Sequence, residues 1–448
     1  MTRTAHDAPP TTPVPDRGPW HSVWRSLGWS GAGIAIQAAA GVATFTLIAR
    51  ALGPADFGVY SVVLALAALT PTIVVAGDGA LLARDLVARG STPRAAVARR
   101  LRLGAITLPV VAALAVAATL VIDALRSPAA MAALAAMVVA EVTAFGIGEL
   151  VAGSYAARDR YRESTVVMIV VALTRVVAVA GVVASGAADG PLPIAAALAV
   201  AGAFTALAGV ALLPEAGSSN DTPLADLDGP TGRAADRREG LVVGGGRAAQ
   251  RAVTDIDQAL LLRSGAAATV GFYAVGARLV SYAYLPIFAA LRVTFPRFLA
   301  HGAAGGLPAT IAYGRRVAPW YLAGGLALSG GVVVAASLIP WLVGDDYADA
   351  RPMAIALAGV PLLRVVQSVL GDVLAGADHF TDRSTAVVAA LLVNVAANLA
   401  LIPIHGWRGA VVATYTAEAI AVGALMLLVR RRLREPSAPA RPIPEMMS

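Results

Sequence analysis

The sequence has no cysteine, no lysine and little charge of either sign. Without cysteine there is neither a disulfide framework nor thiol chemistry. Only 14% of the 448 residues are charged, where a soluble domain carries about a quarter. So thin a charged skin cannot keep a chain of this length in water, and lipid is the solvent it is built for. Histidine is scarce and scattered (His6, His21, His301, His379 and His405), with no metal-ligand spacing. No phosphate-cradling P-loop motif is present, so the chain is not expected to hydrolyse ATP, and no cofactor or metal is expected. The first 20 residues are rich in proline and lack the apolar core of a cleavable signal peptide; residues 1–24 read as a disordered cytoplasmic tail.

What is present is apolar. Hydrophobic residues make up 58% of the chain, and the mean hydropathy is +0.71. All 35 basic residues are arginine, which with 44 glycines reflects the codon usage of a GC-rich bacterial genome. The net charge of +7 would suit nucleic acid. The arginines sit, however, in short loops between apolar stretches, where they set membrane topology, and no nucleic-acid partner is expected.

A spanning helix takes about 20 mostly apolar residues. Candidate spans fall near 28–50, 58–77, 101–122, 128–154, 163–185, 192–213, 241–263, 269–291, 317–340, 351–375, 384–404 and 408–430, twelve in all. With both termini in the cytoplasm, the outside loops hold five arginines (Arg50, Arg126, Arg263, Arg351 and Arg408), five more lie within spans, and the remaining 25 of the 35 lie in the tails and inside loops. That asymmetry is the positive-inside pattern of a bacterial inner-membrane protein.

The expected fold is therefore an all-α polytopic membrane protein. A polar loop at 214–240 divides it into a six-helix bundle over 25–213 and a second over 241–431, with a cytoplasmic tail at 432–448. Six spans per half give both halves the same orientation, so a repeat would be parallel, with its pseudo-two-fold axis along the membrane normal. An ungapped shift of 213 residues brings Gly31 onto Gly244, Gly33 onto Gly246, Gln37 onto Gln250, Leu47 onto Leu260, Arg50 onto Arg263, Gly58 onto Gly271 and Tyr60 onto Tyr273.

Charged groups at membrane depth need a partner or a watery cavity. The seventh span carries Arg247, Arg251, Asp255, Asp257 and Gln258, and four of these (247, 251, 255 and 258) share roughly 80° of one helix face. Arg175, Arg278 and Arg364 lie within other spans, as does Glu141; Asn394 and Asn398 lie one turn apart, and Glu418 falls near a helix end. Either these groups lock helices together as internal ion pairs, or they line a cationic cavity for an anionic passenger, which arginine grips bidentately through phosphate oxygens. The asparagine pair reads first as interhelical hydrogen bonding.

The chain resembles the polysaccharide biosynthesis family of oligosaccharide flippases, within the superfamily that also holds the multidrug and toxin extruders and the lipid II flippase. The stretches that carry the resemblance are Arg50-Ala-Leu-Gly-Pro-Ala-Asp-Phe-Gly-Val-Tyr60, Thr254-Asp-Ile-Asp257 leading to Val270-Gly-Phe-Tyr273, Gly344-Asp-Asp-Tyr347 through Asn394 and Asn398 to Leu401-Ile-Pro403, and Gly406-Trp-Arg-Gly-Ala410 with Thr414. It covers roughly residues 25–430. The resemblance implies two six-helix bundles around a cavity open alternately to each side, and an undecaprenyl-diphosphate-linked oligosaccharide as passenger. The lipid tail would stay in the bilayer, and Arg247, Arg251 and Arg278, backed by Arg364 and Arg175, would meet the diphosphate. Asp255, Asp257 and Glu141 would couple to a proton or cation, or pair with arginine. Membrane lipid, and a glycan polymerase or glycosyltransferases, are the other expected partners, and no enzymatic activity is expected. A cation-coupled multidrug exporter, a non-transporting scaffold for glycan assembly enzymes, and an integral-membrane ligase or polymerase are the competing readings.

Overall fold

The computed structural model describes residues 19–74, 82, 86, 92–158, 160–214, 251 and 255–434. Within them the chain is helical throughout. The first helix, α1, is Pro19–Ala67, followed by a short α2, Thr70–Val74; α3 (Pro93–Ala105) and α4 (Leu108–Val121) come next. Then follow α5 (Pro128–Glu141), a π-helical segment Val142–Ile147, α6 (Gly148–Ala156), α7 (Tyr161–Ala184) and α8 (Pro191–Ala211). After helical residues 255–264 come α9 (Ala267–Ala336), α10 (Ile339–Val343), α11 (Ala350–Leu357), α12 (Val360–Gly376), α13 (Phe380–His405) and α14 (Trp407–Arg434).

Nine helical stretches among the described residues are long and apolar enough to cross a membrane, or ten if the bent pair α3–α4 is one span. Their outer surfaces are apolar, with Val177, Val200, Phe204, Leu207, Val334 and Leu427 all exposed. In water such a shell would drive aggregation; in a bilayer it is the solvated face.

Two of these stretches are hairpins rather than rods. Phe45 and Phe57 are twelve residues apart, which along a straight helix is about 18 Å, yet their ring centroids are 5.5 Å apart. The chain reverses at Gly53, whose φ of 68° is open to glycine and whose successor, Pro54, bars it from the α region. Likewise Phe298 and Tyr313, about 22 Å apart on a straight helix, have centroids 4.9 Å apart across the break at Gly305 and Gly306. The expected spans 28–50 and 58–77 are thus the two limbs of one hairpin. Residues 75–77, and 241–250 with 252–254 of the expected seventh span, lie outside the described set.

Other expected spans are broken in ways their hydropathy does not show. The span near 101–122 bends by 48° between α3 and α4, where Pro109 removes a backbone donor and the Thr107 hydroxyl donates to Gly104 O. The span near 128–154 contains the π segment. The span near 351–375 divides into α11 and α12 just before Pro361.

Helices α1, α5, α7 and α8 pack on one another, as do α9, α11, α12, α13 and α14, and the two groups meet chiefly along α1 and α9. At that seam Gly58 and Gly271 are both indispensable. A Cβ on Gly58 would overlap the carbonyl oxygen of Ala267, and one on Gly271 would overlap that of Pro54. Gly58 and Gly271 are 213 positions apart, and so are Pro54 and Ala267. The contact is therefore reciprocal, as a two-fold relation between the repeated elements requires. Tyr347 closes the same end, donating to Ala49 O at 2.8 Å and meeting Phe57 and Phe272 edge-on. Arg50 caps α10 by donating to Leu342 O at 2.9 Å and to Trp341 O.

Candidate functional site: an arginine-lined cavity

A cavity of about 200 Å³ lies between the two helix groups. The α1 hairpin lines it with Gln37, Thr44, Phe45, Phe57, Tyr60 and Ser61; the end of α5 and the π segment add Glu141 and Phe145. Helix α7 contributes Met168 and Arg175, α9 contributes Arg278 and Tyr282, and Arg251 completes the wall. Three arginines that are 76 and 27 positions apart in the sequence thus face one space, opposed by a single lining carboxylate.

The three cations are held differently. Arg175 Nη2 donates to Glu141 Oε1 at 3.0 Å, with side chains 11% and 6% exposed. Its guanidinium lies 4.9 Å from the centre of the Phe145 ring, a cation–π contact. Arg251, 45% exposed, reaches Asp255 Oδ2, four positions along the chain, at 3.1 Å. Arg278 makes no ion pair and no hydrogen bond to any described residue; Asp255, Tyr282, Tyr60 and Glu141 surround it at longer range. With no direct partner among the described residues, this arginine is the cavity cation whose N–H donors are best placed for an anion.

Behind the cavity wall the polar face of 255–258 turns into protein. Gln258 Nε2 is 3.5 Å from Asp255 Oδ1. Asp257 is buried; Tyr273 O–H and the Gln258 backbone N–H both donate to it, and no cationic side chain among the described residues pairs with it. Arg364 is not in the cavity lining: its Nε donates to Glu418 Oε1 at 2.9 Å and joins α12 to α14. Arg247 lies outside the described residues. The asparagines bond within their own helix rather than across helices, Asn398 Nδ2 donating to Asn394 O at 2.9 Å and to its Oδ1 at 3.0 Å.

Arg175, Arg251, Arg278 and Glu141 are thus brought together, while Asp255 and Asp257 stand behind them. Sequence reasoning missed the aromatic lining. Tyr60 could have been found, because the repeat matches it to Tyr273. Phe145 could not, because its place depends on the π segment.

A family model described as polysaccharide biosynthesis protein matches residues 23–300. No curated protein matches the chain in sequence. Among solved structures, the fold is similar to that of an inward-facing multidrug resistance MATE family transporter of the MOP superfamily, with 15% identity and a TM-score of 0.64 over 89% of this chain and 94% of that one. It is similar to the lipid II flippase MurJ in an inward closed conformation, with 9% identity and a TM-score of 0.63 over 90% of this chain and 87% of that one. It is also similar to the MATE multidrug transporter DinF-BH, with 15% identity and a TM-score of 0.62 over 96% of this chain and 98% of that one. At such identities the likeness is one of fold.

Proposed function

The chain belongs to the polysaccharide biosynthesis protein family, and on that premise we propose that it is a flippase. Its cargo is an undecaprenyl-diphosphate-linked oligosaccharide, carried from the cytoplasmic to the outer leaflet of a bacterial inner membrane. The observation that carries this reading is the convergence of Arg175, Arg251 and Arg278 on one cavity. A diphosphate is the anion that three guanidinium groups suit, through charge-assisted and bidentate hydrogen bonds. Arg175 comes from one helix group and Arg278 from the other, so an anion between them ties the groups together and biases how they close. The polyprenyl tail stays in lipid, and Tyr60 and Tyr282 offer the glycan aromatic faces with polar edges. The work is a rearrangement of non-covalent contacts, with no bond made or broken and no enzymatic role.

Asp257 is the carboxylate we assign to coupling. Buried with no cationic partner among the described residues, it is costly to keep ionised at membrane depth, so a proton or cation accompanies it. With both termini in the cytoplasm, glycosyltransferases hand over the cargo at that face, and a glycan polymerase takes it up on the outer one. The exporter reading fares worse on the same observation, because Arg175 and Arg251 are already balanced by Glu141 and Asp255 and the surplus charge of the lining, on Arg278, is positive and repels a cationic drug.

The test is the sidedness of the lipid-linked glycan in oriented vesicles from cells lacking the protein. The glycan should be trapped at the cytoplasmic face, and wild type should relieve the trapping. Arg278→Ala should slow outward display by roughly 30-fold or more, as losing a desolvated charge contact worth about 2–5 kcal/mol implies. Asp257→Asn should make display insensitive to the ion gradient. Normal outward display without the protein would overturn the flippase reading.

A further inference from the structure

We propose that Glu141 is an internal counter-anion, which neutralises Arg175 while the cavity is empty and yields it to a phosphate of the cargo when the cavity is filled. The inference rests on the flippase reading and assigns a positioning role within it. Glu141 is the one carboxylate among the described lining side chains. Its bond to Arg175 uses a single nitrogen, and Nη1 of the same guanidinium is buried with no hydrogen-bond partner among the described residues. The arginine is thus neutralised but not saturated. Outside the cavity, by contrast, Arg432 grips Asp382 through two nitrogens and both carboxylate oxygens.

The π segment gives Arg175 a second support. It begins directly after Glu141 and sets the Phe145 ring under the guanidinium. When Glu141 lets go, Arg175 stays poised on that ring with its N–H edge free. The physical need is a charge balance on both legs of a transport cycle. A buried, uncompensated arginine costs several kcal/mol, so an empty protein that must return needs a counter-charge of its own, and a loaded one has the cargo's. Glu141 stands in for the cargo on the empty leg and competes with it on the loaded one.

The prediction is a substitution that tightens binding and slows turnover. Farnesyl diphosphate serves as a short lipid diphosphate, titrated into the purified full chain in lipid nanodiscs. Glu141→Gln, which keeps the shape and a hydrogen-bonding group but not the charge, should bind it about tenfold more tightly, the size of a typical coupling between competing sites. In proteoliposomes the same variant should lower both KM and kcat for flipping of a fluorescent polyprenyl-diphosphate glycan. A merely structural Glu141 would lower thermal stability and leave affinity unchanged or weaker, and that result overturns the proposal. Should Glu141→Gln fail to fold, Glu141→Asp draws the carboxylate back by one methylene and should tighten binding by a smaller factor; no tightening there overturns it equally. If wild type itself does not bind farnesyl diphosphate, the lipid-diphosphate reading falls as well. If wild type binds and only the tightening is missing, this inference alone falls.

Discussion

Arg175 and Arg364 carry the same charge, lie within membrane spans, and each bonds a glutamate through one nitrogen. They differ in what lies beside them. Arg175 borders the cavity, whereas Arg364 is not among the cavity's lining residues and ties α12 to α14. The Arg364–Glu418 pair should therefore behave as a structural bolt. Arg364→Ala, leaving Glu418 buried and unpaired, should cost about 3–5 kcal/mol of stability, read as a lower Tm of the purified protein. Arg364→Met combined with Glu418→Leu should recover most of that loss and keep transport, because a buried pair replaced by apolar groups of similar volume is often neutral. The arginines were legible in the sequence as unusual at their depth. Their partners were not, since Glu141 is 34 positions from Arg175 and Glu418 is 54 from Arg364. Among the described arginines of the cavity, Arg251 alone could be paired from spacing, with Asp255 four positions on.

Among elements, the glycine seam is where the repeat becomes mechanical. The 213-residue register aligns Gly58 with Gly271, and the fold sets each against the backbone carbonyl that corresponds to the other's partner. A side chain there must push α1 and α9 apart. Ser61 lines the cavity nearby, in a chain with no native cysteine to interfere. Gly58→Ala should raise labelling of Ser61→Cys by a membrane-impermeant thiol reagent added from the outer side several-fold over the same cysteine in the parent. Unchanged labelling would mean that the seam does not close that end. The π segment is the opposite case. Residues 142–147 read as plain apolar helix, and the extra residue per turn shows only in three dimensions, where the Thr143 hydroxyl donates to Val139 O at 2.6 Å beside Gly202.

At the scale of the whole molecule, the distribution of arginine predicts an orientation with both termini in the cytoplasm. Ser185 ends α7, and Arg160 precedes the start of the same helix. Single-cysteine variants at those positions should react with an impermeant reagent from opposite sides of intact cells, Ser185→Cys from outside and Arg160→Cys only after the cells are opened. The reverse pattern would invert the topology and with it the direction of flipping. The exposed Trp320 and Trp341 are large amphipathic rings on the lipid-facing surface, of the kind that settles at a membrane interface.

Composition alone determined that this chain lives in lipid, because hydropathy is additive along the sequence and needs no knowledge of contacts. Scarcity of charge likewise made every intramembrane arginine conspicuous, and an ungapped register exposed the repeated α1-type hairpin. Tertiary structure decided what is not additive. It turned two long helices back on themselves at Gly53 and at Gly305–Gly306. It gathered Arg175, Arg251 and Arg278 around one space and sent Arg364 elsewhere. It gave the repeat-related Tyr60 and Tyr273 different work, one facing the cavity and the other bonding Asp257. The physical reason is common to all three. Which charge meets which across a helix bundle depends on crossing angles and rotations set by side-chain packing over the whole interface, and no local window of sequence contains that information.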